Sequence, residues 1–165
     1  MSTDILVNKQ SVKQLFLSGR ERPFVMPEYQ RPYSWTIDET EILFNDIWEF
    51  SINEGGTRSD GKYFLGSIVS YENDAGEQEI IDGQQRITTL LLLLRVIYTK
   101  LQQSEQTDAV NNFKSQIEPC IWSKDKITGQ VDYSSMLVTS QVINPSIGDN
   151  VLGNILTTGQ TATEA

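Results

Sequence analysis

Ile80-Ile81-Asp82-Gly83-Gln84-Gln85-Arg86-Ile87-Thr88-Thr89-Leu90 is the stretch on which the reading of this chain turns. A short apolar run ends in Asp-Gly. A polar triplet follows, and a strongly apolar run from Leu90 to Leu94 takes over. That order spells strand, tight turn, helix start. The first-turn amides of a helix lack intrahelical acceptors and carry the positive end of its dipole. Gly83 lets another group approach the backbone closely. Arg86 adds a fixed cationic fork where the dipole disfavours a cation. A cation so placed suggests an anion opposite it, and the simplest anion is a phosphate. A plainer reading stands beside this one. In it Asp82 is only an N-cap, Gln84 and Gln85 are solvated, and Arg86 pairs with a surface carboxylate. The residue types alone leave both readings open.

Working outward, Tyr63 to Tyr71 reads as a strand, with Gly66 marking a bulge or a close backbone approach. Glu72 to Gly76 is a turn and Glu77 to Ile81 the returning strand, so a hairpin delivers the chain to Asp82. The helix that follows is expected from about Gln84 to Gln103. Upstream stands Met26-Pro27-Glu28-Tyr29-Gln30-Arg31-Pro32-Tyr33-Ser34-Trp35. Its two prolines fix a non-helical path. Aromatics beside Arg31 suit stacking on a base or sugar, with Arg31 on a phosphate. The alternative is that Tyr33 and Trp35 pack into the core and Arg31 pairs with an acidic neighbour.

Thr36-Ile37-Asp38-Glu39 has the form of a capping box, with Thr36 as cap and Glu39 reaching back. Leu43, Phe44, Ile47, Trp48 and Phe50 follow at helical spacing and are expected in the core. That helix fades at Asn53 to Gly56, and Thr57 to Gly61 is a polar loop. Nearer the start, Ser11 to Leu17 reads as a short amphipathic helix with Ser11 as cap and Gly19 as stop. Arg20 and Arg22 follow it. Pro23 to Met26 reads as an extended segment or edge strand.

Beyond the central helix the signal weakens. Thr107 to Ile117 reads as a helix stopped by Glu118-Pro119. Ile121 and Trp122 precede a polar loop from Ser123 to Gly129, and Val131 to Val138 reads as a strand. From Gln141 to Ala165, Val151, Leu152, Ile155 and Leu156 form the only apolar cluster. The expected organisation is a compact core over residues 1–105 and a helical or irregular extension over 106–165. With no obvious closing element, the extension reads as a truncated domain or as one half of a larger protein.

Composition narrows the function. A length of 165 residues suits one domain. The net charge of -9 argues against broad nucleic-acid binding, which needs a basic footprint, but leaves room for a local basic groove. Cys120 is the only cysteine, so there is no disulfide framework and no cysteine-based zinc site. The absence of histidine removes Ser-His-Asp and Cys-His catalysis within the chain. No Walker-type P-loop occurs. Met1 to Lys13 lacks the apolar core of a signal peptide, and the run from Ile87 to Leu101 is too short to span a bilayer. A cytoplasmic protein is expected.

The segment Pro27 to Trp35, followed by Tyr63-Phe64-Leu65-Gly66-Ser67-Ile68 leading to Asp82-Gly83-Gln84-Gln85-Arg86, resembles the N-terminal domain of GmrSD-like type IV restriction proteins, a prokaryotic phage-defence family. The likeness runs from about Val12 to Leu101. It implies an α+β fold of the ParB/sulfiredoxin-like kind, a small mixed sheet with packed helices. It also implies binding and hydrolysis of an NTP coupled to restriction of modified phage DNA. Carried onto this chain, Gly83, Gln84, Gln85, Arg86, Thr88 and Arg31 would hold the nucleotide. Tyr29, Gln30, Arg31 and Tyr33 would sense DNA. Asp82, Gln84, Gln85 and Arg86 would carry the chemistry. In it Arg86 would stabilise phosphate charge, and Gln84 or Gln85 would orient a water. Asp82 or Glu79 would hold Mg²⁺. Family members place cleavage in a separate histidine-dependent HNH domain, so this histidine-free chain reads as a nucleotide-binding or sensing half that works with a nuclease domain or subunit. The alternative is a non-hydrolysing module that recognises modified DNA through the Tyr29 to Trp35 loop.

Overall fold

The computed structural model describes residues 6–18, 24–27, 33–53, 63–136, 138–139 and 151–160. The class is α+β, as expected. Helix α1 (Val12–Ser18) opens on a reciprocal cap. Gln14 N donates to Ser11 Oγ at 3.2 Å and Ser11 N donates to Gln14 Oε1 at 2.8 Å. Strand β1 (Phe24–Val25) follows, then helix α2 (Ile37–Asn53). Of the capping box read at the start of α2, the reach of Glu39 back to Thr36 forms: Thr36 N donates to Glu39 Oε2 at 2.7 Å, and the Thr36 hydroxyl donates to the same oxygen. These bonds hold the Glu39 carboxyl below its ordinary pKa.

Strands β2 (Val69–Glu72) and β3 (Gln78–Asp82) form the hairpin that leads into α3 (Gln84–Gln103). Its turn is organised by Asn73, whose side chain accepts from the amides of Ala75 and Glu77. Then come α4 (Asp108–Ile121), the β4 (Trp122–Lys124) and β5 (Val131–Met136) hairpin, β6 (Val138–Thr139) and α5 (Val151–Thr158). The main sheet is mixed, in the order β2-β3-β1-β6. β1 lies parallel to both β3 and β6, and β2 is antiparallel to β3.

Four expectations are corrected. β1 is an interior strand rather than an edge, because β6 arrives from far along the chain to pair with it. The strand expected over Tyr63–Tyr71 is regular only from Val69, since Gly66 at φ 109° turns the backbone out of the extended path. Pro119 does not stop α4, which runs two residues past it. Proline there gives up one hydrogen bond near the helix end, while Ile117, Cys120 and Ile121 bury the face that holds the turn. On α2, Leu43 and Ile47 face the core, but Phe44 and Trp48 are about half exposed and stack on each other with centroids 6.2 Å apart.

The core centres on α3. Ile87, Leu90 and Leu91 pack with Phe16, Phe24, Met26, Leu43, Ile80, Cys120 and Leu156. Full burial of each Ile, Leu, Phe or Met among them contributes about 1.5–3 kcal/mol against leaving the side chain in water. Cys120 and Leu156, from the stretch beyond residue 105, thus share a core with α1 and α3. A second cluster joins Tyr98, Ile117, Ile121 and Trp122, and Leu94 touches both. Arg95 is buried beside the second cluster. Its Nε donates to Leu156 O at 2.9 Å and its Nη1 to Thr99 Oγ1 at 2.7 Å, while the guanidinium lies 5.2 Å from the Trp122 ring. A cation over an aromatic face recovers part of its lost hydration.

The Tyr98 hydroxyl donates to Glu118 Oε1 at 2.7 Å, and Tyr133 donates to the same oxygen at 3.2 Å. Burial first, then the bonds to Tyr133 and Glu118, push the Tyr98 pKa far above its ordinary value. The fold therefore keeps a proton that the unfolded chain releases at alkaline pH. That contribution is present below pH 10 and is lost as pH rises above it. In thermal melts across pH 8 to about 11, the wild-type melting temperature is expected to fall more steeply at the alkaline end than that of Tyr98→Phe.

Candidate functional site at the start of α3

Gly83 makes the turn from β3 into α3. Its φ of 97° and ψ of 9° lie in the left-handed region, and a Cβ there would stand 2.9 Å from Ile68 Cγ1. The first helical bond runs from Ile87 N to Gly83 O. The N-cap residue is Gly83, which offers no capping side chain, and the first turn carries no acidic residue. Asp82 is therefore not the N-cap; it is the exposed last residue of β3.

The three polar side chains after Gly83 each bond the backbone of a different segment. Gln84 Nε2 donates to Ile80 O at 3.1 Å and Ile81 O at 3.2 Å, tying the helix back to its own strand. Gln85 Oε1 accepts from Ser34 N at 2.8 Å and Trp35 N at 3.3 Å, tying it to the segment before α2. Arg86 Nη1 donates to Ser67 O at 2.7 Å, tying it to the segment before β2. A Cβ on Gly66 would lie 2.6 Å from Arg86 Cζ, so the missing side chain is what admits the guanidinium. Gly66 thus marks the close approach that its place in the sequence suggested. The two glutamines are not merely solvated, and the described partner of Arg86 is a carbonyl. A guanidinium has five donors, and the described residues take one of them.

One turn on, Thr89 Oγ1 donates to Gln85 O at 2.8 Å and stands 2.9 Å from the Tyr33 hydroxyl. The single Thr89 proton goes to the carbonyl, so Tyr33 is the donor to Thr89. Sequence reasoning missed Thr89 and the Ser34 and Trp35 amides, because nothing in the residue types shows which backbone groups a glutamine will satisfy. Thr88 is 3% exposed, with its hydroxyl toward Met26 Sδ, and so faces the core rather than the mouth of the turn. Tyr29, Gln30 and Arg31 lie outside the described residues.

Among the described residues no group of three or more His, Cys, Asp or Glu side chains could hold a metal ion. Asp82, beside the turn, fits the one-carboxylate demand of a Mg²⁺ that arrives on phosphates and keeps most of its waters. Among the described residues no helix is long and apolar enough to cross a membrane.

Gln85→Leu is expected to lower unfolding free energy by about 1–2 kcal/mol in urea titration, since two amides lose their acceptor. Gln85→Glu keeps the accepting oxygen and is expected to lose less stability than Gln85→Leu.

Comparison with known proteins adds the family. No curated protein matches the chain. The model of the GmrSD restriction endonuclease N-terminal domain matches residues 12–150. The match extends well past Leu101, where the resemblance read from the motifs ended, and takes in α4 and the β4–β5 hairpin. With most of its length covered, the chain belongs to the family of GmrSD restriction endonuclease N-terminal domains.

Proposed function

We propose that this domain binds and hydrolyses an NTP and acts as the sensing part of a restriction system directed at modified phage DNA. One observation supports it above the others. The start of α3 has a left-handed glycine as its N-cap and no acidic residue in its first turn, and it holds Arg86 in that turn. Such a helix end favours an anion, and a phosphate group meets both the dipole and the guanidinium. A ParB/sulfiredoxin-like relationship of the fold belongs to the same reading.

In this reading Gly83 and the helix start receive the phosphates, and Arg86 stabilises the charge that develops as the terminal phosphoryl group departs. Mg²⁺ entering with the nucleotide would neutralise phosphate charge, and Asp82 is the carboxylate placed to hold it. Gln84 spends its amide protons on the β3 carbonyls, so its Oε1 is the atom that would orient the attacking water. Thr88, turned to the core, would support the site from behind. Tyr33, Ser34 and Trp35 are pinned to α3, and Tyr29, Gln30 and Arg31, just ahead of them in the sequence, would contact the nucleotide or DNA. A cytoplasmic location and a nuclease domain or subunit as partner complete the proposal.

Calorimetric titration with ATP, GTP and CTP in the presence of Mg²⁺ tests it. Binding by the wild type and at least about tenfold weaker binding by Arg86→Ala are expected, with only about 1 kcal/mol of stability lost with the Ser67 bond. Absence of binding to the folded wild type, or normal binding by Arg86→Ala, overturns the nucleotide reading. The module would then be read as a non-hydrolysing binder of modified DNA, with salt-sensitive affinity that Tyr29→Ala and Arg31→Ala weaken.

A further inference from the structure

Helix α2 carries an exposed apolar stripe that neither buried cluster uses. Ile37 is 74% exposed, Phe44 47%, Trp48 55% and Ile52 50%. Their spacing places all four along one side of the helix, turned away from Leu43 and Ile47, which meet the core. Phe44 and Trp48 stack with their ring planes 15° apart, so the middle of the stripe is a continuous aromatic surface. Large aromatics left half in water at helical spacing are the anchors by which one helix docks on another polypeptide.

The charge on the same helix selects the occupant. α2 carries Asp38, Glu39, Glu41, Asp46 and Glu49 and has no Lys or Arg. Glu41 falls within the stripe, and Asp38 and Glu49 border it. The whole chain has a net charge of -9. A second copy docking α2 on α2 would set these acids against each other. Nucleic acid would bring phosphates to the same carboxylates. We propose that this face is a docking surface for a basic amphipathic helix of a partner polypeptide, with apolar residues on the Phe44–Trp48 surface and Lys or Arg opposite Glu41 and Glu49. The proposal does not depend on what binds at the start of α3.

The test uses the full chain and two synthetic helical peptides of one pattern, one of Leu and Lys and the other of Leu and Glu. Binding is read by fluorescence anisotropy, and sedimentation reports self-association. The Leu/Lys peptide is expected to bind with salt-sensitive affinity, at least about tenfold weaker for Phe44→Ser/Trp48→Ser. Glu41→Lys/Glu49→Lys is expected to shift preference to the Leu/Glu peptide. Ile127→Gln, on the 94% exposed Ile127 of the β4–β5 hairpin, should leave binding unchanged. The stripe residues are exposed, so these variants should melt as the wild type does, and circular dichroism confirms that each is folded. Equal binding by Phe44→Ser/Trp48→Ser, or no change of preference on charge reversal, overturns the proposal. Self-association that Phe44→Ser/Trp48→Ser abolishes would assign the face to a second copy and overturns it as well.

Discussion

Three segments of this fold depend on the first turn of α3 for backbone hydrogen bonds. Gln84 satisfies carbonyls at the end of β3, Gln85 satisfies amides ahead of α2, and Arg86 satisfies a carbonyl ahead of β2. Unpaired backbone groups carry a cost comparable to a lost hydrogen bond. Side chains that meet this need fix loops that regular structure does not reach. The helix beneath is fixed in turn by Ile87, Leu90 and Leu91 in the main cluster and by Tyr98 in the second.

This arrangement lets one short motif serve both the fold and the chemistry proposed for it. A helix start that receives an anion needs walls of known position, and in the proposed reading the segments tied down by Gln85 and Arg86 would be those walls. The tie through Ser67 also orients the guanidinium, which would lower the entropy lost on binding the proposed ligand. Positioning and recognition then rest on the same atoms. A substitution in this turn therefore bears on stability as well as on the proposed affinity, so each variant's folding is read beside its binding.

Where a segment's structure was set by its own neighbours, the sequence was legible. The boundaries of α3, the cap at Ser11, the reach of Glu39 back to Thr36 and the turn through Gly83 follow from residue type and spacing. Where distant segments decide, it was not. Nothing near Phe24 announces that Val138 will pair with it. Pro119 reads as a stop because local rules do not see the buried face of α4. Phe44 and Trp48 read as core because periodicity shows that a helix has an apolar side, but not how wide the face against the sheet will be. At the site, the turn and Gly66 were visible. The backbone partners of Gln84, Gln85 and Arg86 were not, because an amide or guanidinium gives no sign in the sequence of which peptide group it will meet.

The placement of β1 bears on the order in which the molecule can assemble. Its two residues pair with Gln78 and Glu79 on one side and with Val138 and Thr139 on the other. Both pairings are parallel and both join segments far apart in the chain, so each requires a large loop to close before any contact repays it. During synthesis the first strand must wait for the sheet's last one. Until residues 138–139 leave the ribosome, the nascent domain presents an open strand edge. The hairpin and the central helix, made of near neighbours, can form early and serve as the template on which that late strand is set.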